Sequence, residues 1–245
     1  MKNKVAVITG GKTGIGHAAA RRLAQGGYKI VIADIEDGAA ETRALAKDAL
    51  FVRCDVGKDD QVTKLFEATL AAFGRVDVLV NSAGVVSPGF IADQPVAAWD
   101  LVIDTNLKGP FLCSRAAIPA MKRQGAGVII NIGSEYGLIG GPAKAIYAAS
   151  KGGLNMLTKA LAHDHAKDGI RVNCLIPGPT LTPLMEKNIA TAPDPEAKRR
   201  REIDSTLLGR LATPEEIANV IYFMATDDAS FMTGSIVTVD GGVTT

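Results

Sequence analysis

The stretch "VAVITGGKTGIG", residues 5–16, constrains this chain more than any other. Residues 5–9 are apolar and rich in β-branched side chains, as a buried strand requires. A glycine-rich turn follows, and then a helix-like stretch, 14–27, that ends on glycine. Between strand and helix, Gly10, Gly14 and Gly16 let the backbone approach a pyrophosphate closely, while the start of the helix offers free N–H groups to the anion. Thr13 and Ile15 lie in the same turn and are candidates for the same contacts. The next apolar run, "KIVIAD", ends at Asp34, which follows Gly16 by 18 residues. A carboxylate there can accept from both hydroxyls of an adenine ribose and would repel a 2′-phosphate. Lys12 is the one basic residue of the glycine loop. The expected cofactor is NAD, with NADP possible.

The rest of the chain repeats the same alternation. Strand-like runs are expected at 50–55, 76–84, 127–134, 170–178 and 235–242, and helices at about 37–47, 59–74, 97–123 and 145–168. Alternation of this kind predicts an α/β fold: one Rossmann-like, doubly wound parallel sheet of about seven strands with helices on both faces, a single domain over 1–245. The segment 180–205, with three prolines and the basic run "KRRR", interrupts the pattern. It is read as a substrate-loop excursion beside the site. The carboxyl edge of the sheet is where ligands of such folds bind. Asp55 and Val56 after the third strand, and Asn81, Ala83 and Gly84 after the fourth, are therefore candidate cofactor contacts. Asp55 could equally cap a helix, and Asn81 form a turn.

Composition excludes several functions. A net charge of +1 gives no field to draw nucleic acid or an anionic membrane. Cys54, Cys113 and Cys174 form no CxxC pair, and "HDH" at 163–165 has no accompanying ligands, so no metal is expected. No apolar run approaches the ~20 residues that span a bilayer, and a strand opens the sequence where a signal peptide would stand. The expectation is a soluble, cytoplasmic protein.

Tyr147 and Lys151 stand four apart in a helical stretch, so they share a face. A free tyrosine ionises near pH ~10. To act as a base near neutrality it must be made more acidic by about 4 kcal/mol. A neighbouring ammonium favours the phenolate, and Lys151 is the obvious source.

With these residues in view, the whole chain resembles the compact short-chain dehydrogenase/reductase family. "TGGKTGIG" (9–16), "NSAG" (81–84), "NLKG" (106–109), Ser134, "YAASK" (147–151) and "PGPTLTP" (177–183) occur in the family's order. Ser82 and Ile176 stand where asparagine is usual. The resemblance implies reversible hydride transfer between a nicotinamide cofactor and a secondary alcohol or ketone. Tyr147 would be the general base or acid, Ser134 would bond the substrate oxygen, and Lys151 would lower the tyrosine pKa and hold the nicotinamide ribose. Asn106 would position Lys151 through a water. Pro177 and Gly178, with the hydroxyls of Thr180 and Thr182, would orient the carboxamide. It also implies a homotetramer built on the long helices and the last strands.

Each residue also has a plainer reading: Ser134 could cap a loop, Asn106 could bend a helix, and Tyr147 could edge the core. The substrate pocket is expected around Ser134, Glu135, Tyr136, Tyr147, Leu184 and Met185. Glu135 either faces the pocket, recognising a hydroxyl or a cation, or points to solvent. "KRRR" either steers an anion or forms a solvated or subunit-facing stripe. An NADPH-dependent 3-oxoacyl thioester reductase and a non-catalytic dinucleotide sensor are the alternatives to an alcohol dehydrogenase. The particular small-molecule alcohol is not legible.

Overall fold

Strands whose side chains are apolar on both faces must be covered on both faces, and the structure meets that demand with one sheet. The computed structural model describes residues 3–245. In chain order the elements are β1 (Val5–Thr9), α1 (Gly14–Gln25), β2 (Lys29–Asp34), α2 (Ala39–Leu45), β3 (Leu50–Arg53), α3 (Asp59–Phe73) and β4 (Val78–Asn81). Then come α4 (Val96–Ile103), α5 (Gly109–Gln124), β5 (Gly127–Ile132), α6 (Ala145–His165) and β6 (Ile170–Pro177). The chain closes with α7 (Pro183–Ala190), α8 (Pro195–Asp204), α9 (Pro214–Ala225) and β7 (Ile236–Val239). The sheet has seven strands in the order β3-β2-β1-β4-β5-β6-β7, all parallel.

Alternate residues of each strand feed opposite cores. Val5, Val7, Leu79 and Ile129 pack with Leu65, Phe66 and Met121 of α3 and α5. Ala6, Ile8, Val80 and Ile130 pack with Leu23, Ile217 and Met224 of α1 and α9. This is the Rossmann-like architecture the alternation predicts.

The winding reverses between β1 and β4, so the loops after these two strands flank one crevice. The two loops touch there. The Thr9 hydroxyl accepts from the backbone N–H groups of Ser82 and Ala83, at 3.1 and 3.2 Å. Gly10 has φ +62, and a Cβ on it would stand 2.7 Å from the Ala83 Cα, so only glycine fits. A Cβ on Gly16 would meet the Gly10 carbonyl oxygen at 2.2 Å, which fixes how tightly α1 docks on the turn.

Four features differ from the sequence reading. The helix expected over 97–123 is two helices joined by a π turn at Asp104–Lys108, closed by the Gly109 N–H on the Asp104 carbonyl. The excursion 180–205 is mostly helical, with α7 and α8 begun by Thr182 and Asp194 side chains that accept from backbone N–H groups inside each first turn. The third and fourth strands stop at Arg53 and Asn81, the residues beyond them forming edge loops. Helix α9 lies in a stretch that the periodicity left unassigned. Its start carries a full capping box between Thr213 and Glu216, behind Pro214. No helix among the described residues is long and apolar enough to cross a membrane.

Candidate active site

Helix α6 passes behind the carboxyl ends of β5 and β6 and carries Tyr147, Lys151 and Asn155 on one face, a turn apart each. Lys151 is 5 % exposed, and its Nζ donates to the Ile132 carbonyl at 2.7 Å. The same nitrogen lies 5.7 Å from the centroid of the Tyr147 ring. The Asn155 amide donates to the Gly137 carbonyl at 3.0 Å, which ties the turn after β5 to α6. That tether sets Ser134 against Tyr147, whose hydroxyl shares a hydrogen bond with it. Asn155 was not foreseen, although the i, i+4 spacing from Lys151 was a signal for it.

Ser134 is buried and does cap a turn, accepting from the Tyr136 N–H at 3.3 Å. Its own proton goes to Glu135, with Oγ 2.7 Å from Oε2. Capping and site roles therefore coexist. Tyr136 stands edge-on to Tyr147, with ring centroids 6.3 Å apart.

Asn106 is fully buried in the π turn. Its side chain accepts from the Val85 N–H at 2.8 Å and donates to the Val85 carbonyl at 2.9 Å and to Ser150 Oγ at 3.2 Å. Ser150 in turn donates to the Tyr147 carbonyl at 2.7 Å. Asn106 thus bonds the β4 loop and α6 rather than its own helix. A Cβ placed on Gly84 would be 3.5 Å from Asn106 Oδ1 and 3.7 Å from Lys151 Nζ, so these two groups flank the same glycine.

Burial governs the electrostatics. It lowers the Lys151 pKa to about 8, against small raising effects from Cys174 and Glu135. It raises the Tyr147 pKa well above the ordinary value; the hydrogen bond with Ser134 counters this in part, and the charges of Glu135 and Tyr136 add to it. Desolvation of the phenol, and not the Lys151 ammonium, sets the direction of the Tyr147 shift. Burial also raises the Glu135 carboxyl above its usual range.

The edge residues expected to meet a dinucleotide divide into two groups. Gly14 and Ile15 open α1 beside the cleft, with Gly14 facing Thr182. Thr13 is exposed at the N-cap, where its hydroxyl caps nothing. Asp34 accepts from the backbone N–H of Lys12 and of Glu36, at 3.1 and 3.2 Å, and Lys12 Nζ pairs with Glu36 at 2.8 Å. In the β4 loop Ala83 lies against Gly10, and Gly84 lies beside Asn106 and Lys151. Pro177, Gly178, Thr180 and Thr182 form the opposite wall.

Other side chains turn inward. Asn81 is 2 % exposed, and its Nδ2 donates to Asn131 within the sheet. Val56 is buried and crowds Gly109, which leaves its backbone as the part facing the edge. Asp55 accepts from the Gly57 N–H in a local turn. Thr180 donates to the Gly178 carbonyl, and Thr182 accepts from Met185 N–H, which keeps the Thr182 proton free.

These elements line a cleft that opens to solvent on one side. Ser134, Glu135, Tyr136, Tyr147, Leu184 and Met185 all line it. Glu135 faces the cleft and not solvent. So does Lys198 of the basic run, half-buried and paired with Glu202 at 2.5 Å, while Arg199, Arg200 and Arg201 are exposed. Asn188 and Glu202 are lining residues the sequence reading did not single out. Among the described residues no cluster suits a metal ion, and the three cysteines are free and buried.

The glycine turn, with no room for side chains, the uncapped start of α1 and the acid at the end of β2 suit a dinucleotide. Relatives agree with that chemistry. The family described as enoyl-(acyl carrier protein) reductase matches residues 10–244. A cis-4-hydroxycyclohexanecarboxylate dehydrogenase from Sinomonas cyclohexanicum is 41% identical over 98% of this chain and 96% of its own. A 3-oxoacyl-(acyl-carrier-protein) reductase from Thermotoga maritima is 36% identical over 99% and 98%. The ligand-free aldohexose dehydrogenase of Thermoplasma acidophilum superposes with a TM-score of 0.91 at 33% identity, covering 99% of this chain and 94% of that one.

The electrostatics make one direct prediction. Replacing Glu135 by Leu removes a charge that disfavours the phenolate and frees the Ser134 proton to bond it. Both changes act in one direction, so Tyr147 will ionise at lower pH in Glu135→Leu. Tyrosinate absorbance, read as the difference between each protein and its Tyr147→Phe partner, measures this; an unchanged or higher midpoint contradicts it.

Proposed function

The chain belongs to the short-chain dehydrogenase/reductase family, and from that premise we propose that it is an NAD-dependent dehydrogenase of secondary alcohols, with Tyr147 as the proton-transfer residue. One observation carries the reading: Tyr147, Ser134 and Lys151 converge at the cleft edge, with Lys151 Nζ 5.7 Å from the Tyr147 ring.

The nicotinamide, when bound, supplies the hydride acceptor or donor. The protein supplies position and charge. Ser134 and Tyr147 hold the substrate oxygen between their hydroxyls. During oxidation Tyr147 Oη takes the hydroxyl proton, and during reduction it returns one. Lys151, protonated below its pKa of about 8, provides the positive charge that the phenolate needs as it forms. Asn106 acts as a positioning residue through Ser150, which bonds the Tyr147 carbonyl. Thr182, with its proton free, is the better candidate of the two threonines to meet the carboxamide.

NAD is preferred to NADP for an electrostatic reason. A 2′-phosphate beside β2 would meet the carboxylates of Asp34 and Glu36; the Lys12 ammonium already pairs with Glu36, and the Arg53 guanidinium donates to the Ile35 carbonyl. The same argument weighs against an NADPH-dependent 3-oxoacyl reductase. A non-catalytic dinucleotide sensor would have no use for the complete set of Asn106, Ser134, Tyr147 and Lys151. Exposed Trp99, Phe111 and Met156 on α4, α5 and α6 support the homotetramer. Light scattering at micromolar concentration should then give about four times 25.6 kDa; a monomer overturns it.

Turnover tests the reading. The parent protein with NAD and a panel of secondary alcohols should reduce the nicotinamide, and Tyr147→Phe should lose about 100-fold or more in kcat while calorimetry still detects NAD binding. Full activity in Tyr147→Phe defeats the assignment. Asp34→Ala should lower kcat/KM for NAD by about tenfold or more, the worth of one charge-assisted hydrogen bond, and raise NADP relative to NAD. An unchanged cofactor ratio removes Asp34 from the account.

A further inference from the structure

The cleft continues past Ser134 into a set of charged side chains that the hydride-transfer chemistry does not use. Glu135, Lys144, Lys198 and Glu202 all line it, and all are partly buried. Lys198 and Glu202 pair at 2.5 Å, and the Lys144 ammonium lies 5.8 Å from the centroid of the Tyr136 ring. Resting on the dehydrogenase reading, we propose that this part of the cleft is a polyol subsite: the substrate is an uncharged alcohol with a second hydroxyl on the neighbouring carbon, and Glu135 accepts that hydroxyl.

Three observations lead to this. The first is spacing. Ser134 Oγ, which bonds the reacting oxygen, is 2.7 Å from Glu135 Oε2. Neighbouring hydroxyls of a vicinal diol lie about as far apart as two hydrogen-bonded oxygens. A diol that sets one oxygen at Ser134 and Tyr147 brings the next within reach of the carboxylate.

The second is proton bookkeeping within the site. Ser134 spends its only proton on Glu135. A second substrate hydroxyl that donates to Glu135 takes over that bond and releases the Ser134 proton to the reacting oxygen. A monohydric alcohol leaves Ser134 turned to the carboxylate. The neighbouring hydroxyl therefore both binds and completes the arrangement.

The third is charge balance. Two carboxylates and two ammonium groups sum to zero, so the subsite holds no excess charge to compensate an ionised substrate as it leaves water. It does hold acceptors on Glu135 and Glu202 and donors on Lys144, Lys198 and Asn188, the mixture that several hydroxyls require. Leu184 and Met185 supply apolar surface for the carbons between them. A long acyl chain would bury against these charges and lose their hydrogen bonds.

The test is a set of kcat/KM values with NAD for cyclohexanol, cis-1,2-cyclohexanediol and cis-4-hydroxycyclohexanecarboxylate. In the parent protein the diol should exceed cyclohexanol by about tenfold or more, and exceed the carboxylate as well. In Glu135→Leu, which removes the acceptor, the diol-to-cyclohexanol ratio should fall towards one, whatever the absolute rates, with the melting temperature recorded to show that the variant is folded. Equal values for diol and cyclohexanol in the parent overturn the polyol subsite while leaving the dehydrogenase standing, and they do so without any variant. A ratio unchanged in Glu135→Leu removes Glu135 from it. A carboxylate that outperforms the diol assigns Lys144 and Lys198 to an anion instead. If none of the three alcohols is oxidised although NAD binds, the dehydrogenase reading fails and the subsite with it.

Discussion

The site depends on the contact between two loops at the point where the winding of the sheet reverses. The Thr9 hydroxyl holds the backbone of Ser82 and Ala83, and Gly10 lies against Ala83 with no space for a side chain. This contact brings the glycine turn of β1 alongside the loop of β4. From there Asn106 holds Val85 through a pair of hydrogen bonds and reaches Ser150 on α6. The π turn that carries Asn106 is the kind of local irregularity that recurs at functional sites. In this chain it joins the dinucleotide half of the crevice to the helix bearing Tyr147 and Lys151.

Desolvation then decides the behaviour of the groups gathered there. Lys151 is held with a pKa of about 8, and burial raises both Tyr147 and Glu135. These shifts run towards the neutral form of each group, as removal from water requires. The i, i+4 spacing promised a phenol made acidic by its neighbour. The structure instead presents a pair whose charges are both disfavoured, with a carboxylate one hydrogen bond from Ser134. Charge on an incoming molecule, and the rearrangement of the Ser134 proton, are what remain to shift that balance.

The sheet was legible because strands covered on both faces must be apolar at nearly every position, and "VAVIT" and "KIVIAD" are. The glycine turn was legible because its spacing answers a steric demand. The capping box before α9 was also written in the sequence, in "TPEE" at 213–216, yet periodicity alone passed over it. The orientation of Glu135 and Lys198 could not be read. Neither stands in a periodic stretch that fixes its direction, and only the folded cleft shows that both line it. Asn81 is divided: its Nδ2 donates to Asn131 within the sheet, while its buried Oδ1 has no protein partner. Ile176, the departure from the family pattern, is fully buried where a side chain on Gly133 would collide with it, so the substitution is met by local packing.

The central claim is that this cleft moves a hydride directly between a secondary carbinol and a nicotinamide. The most direct measurement uses cis-1,2-cyclohexanediol deuterated at its carbinol carbons, incubated with the protein and NAD, with mass spectrometry of the reduced cofactor. The account predicts reduced cofactor that is heavier by one deuterium, in step with ketone formed. Reduced cofactor without the label, or no reduction of bound NAD by any secondary alcohol, would contradict it.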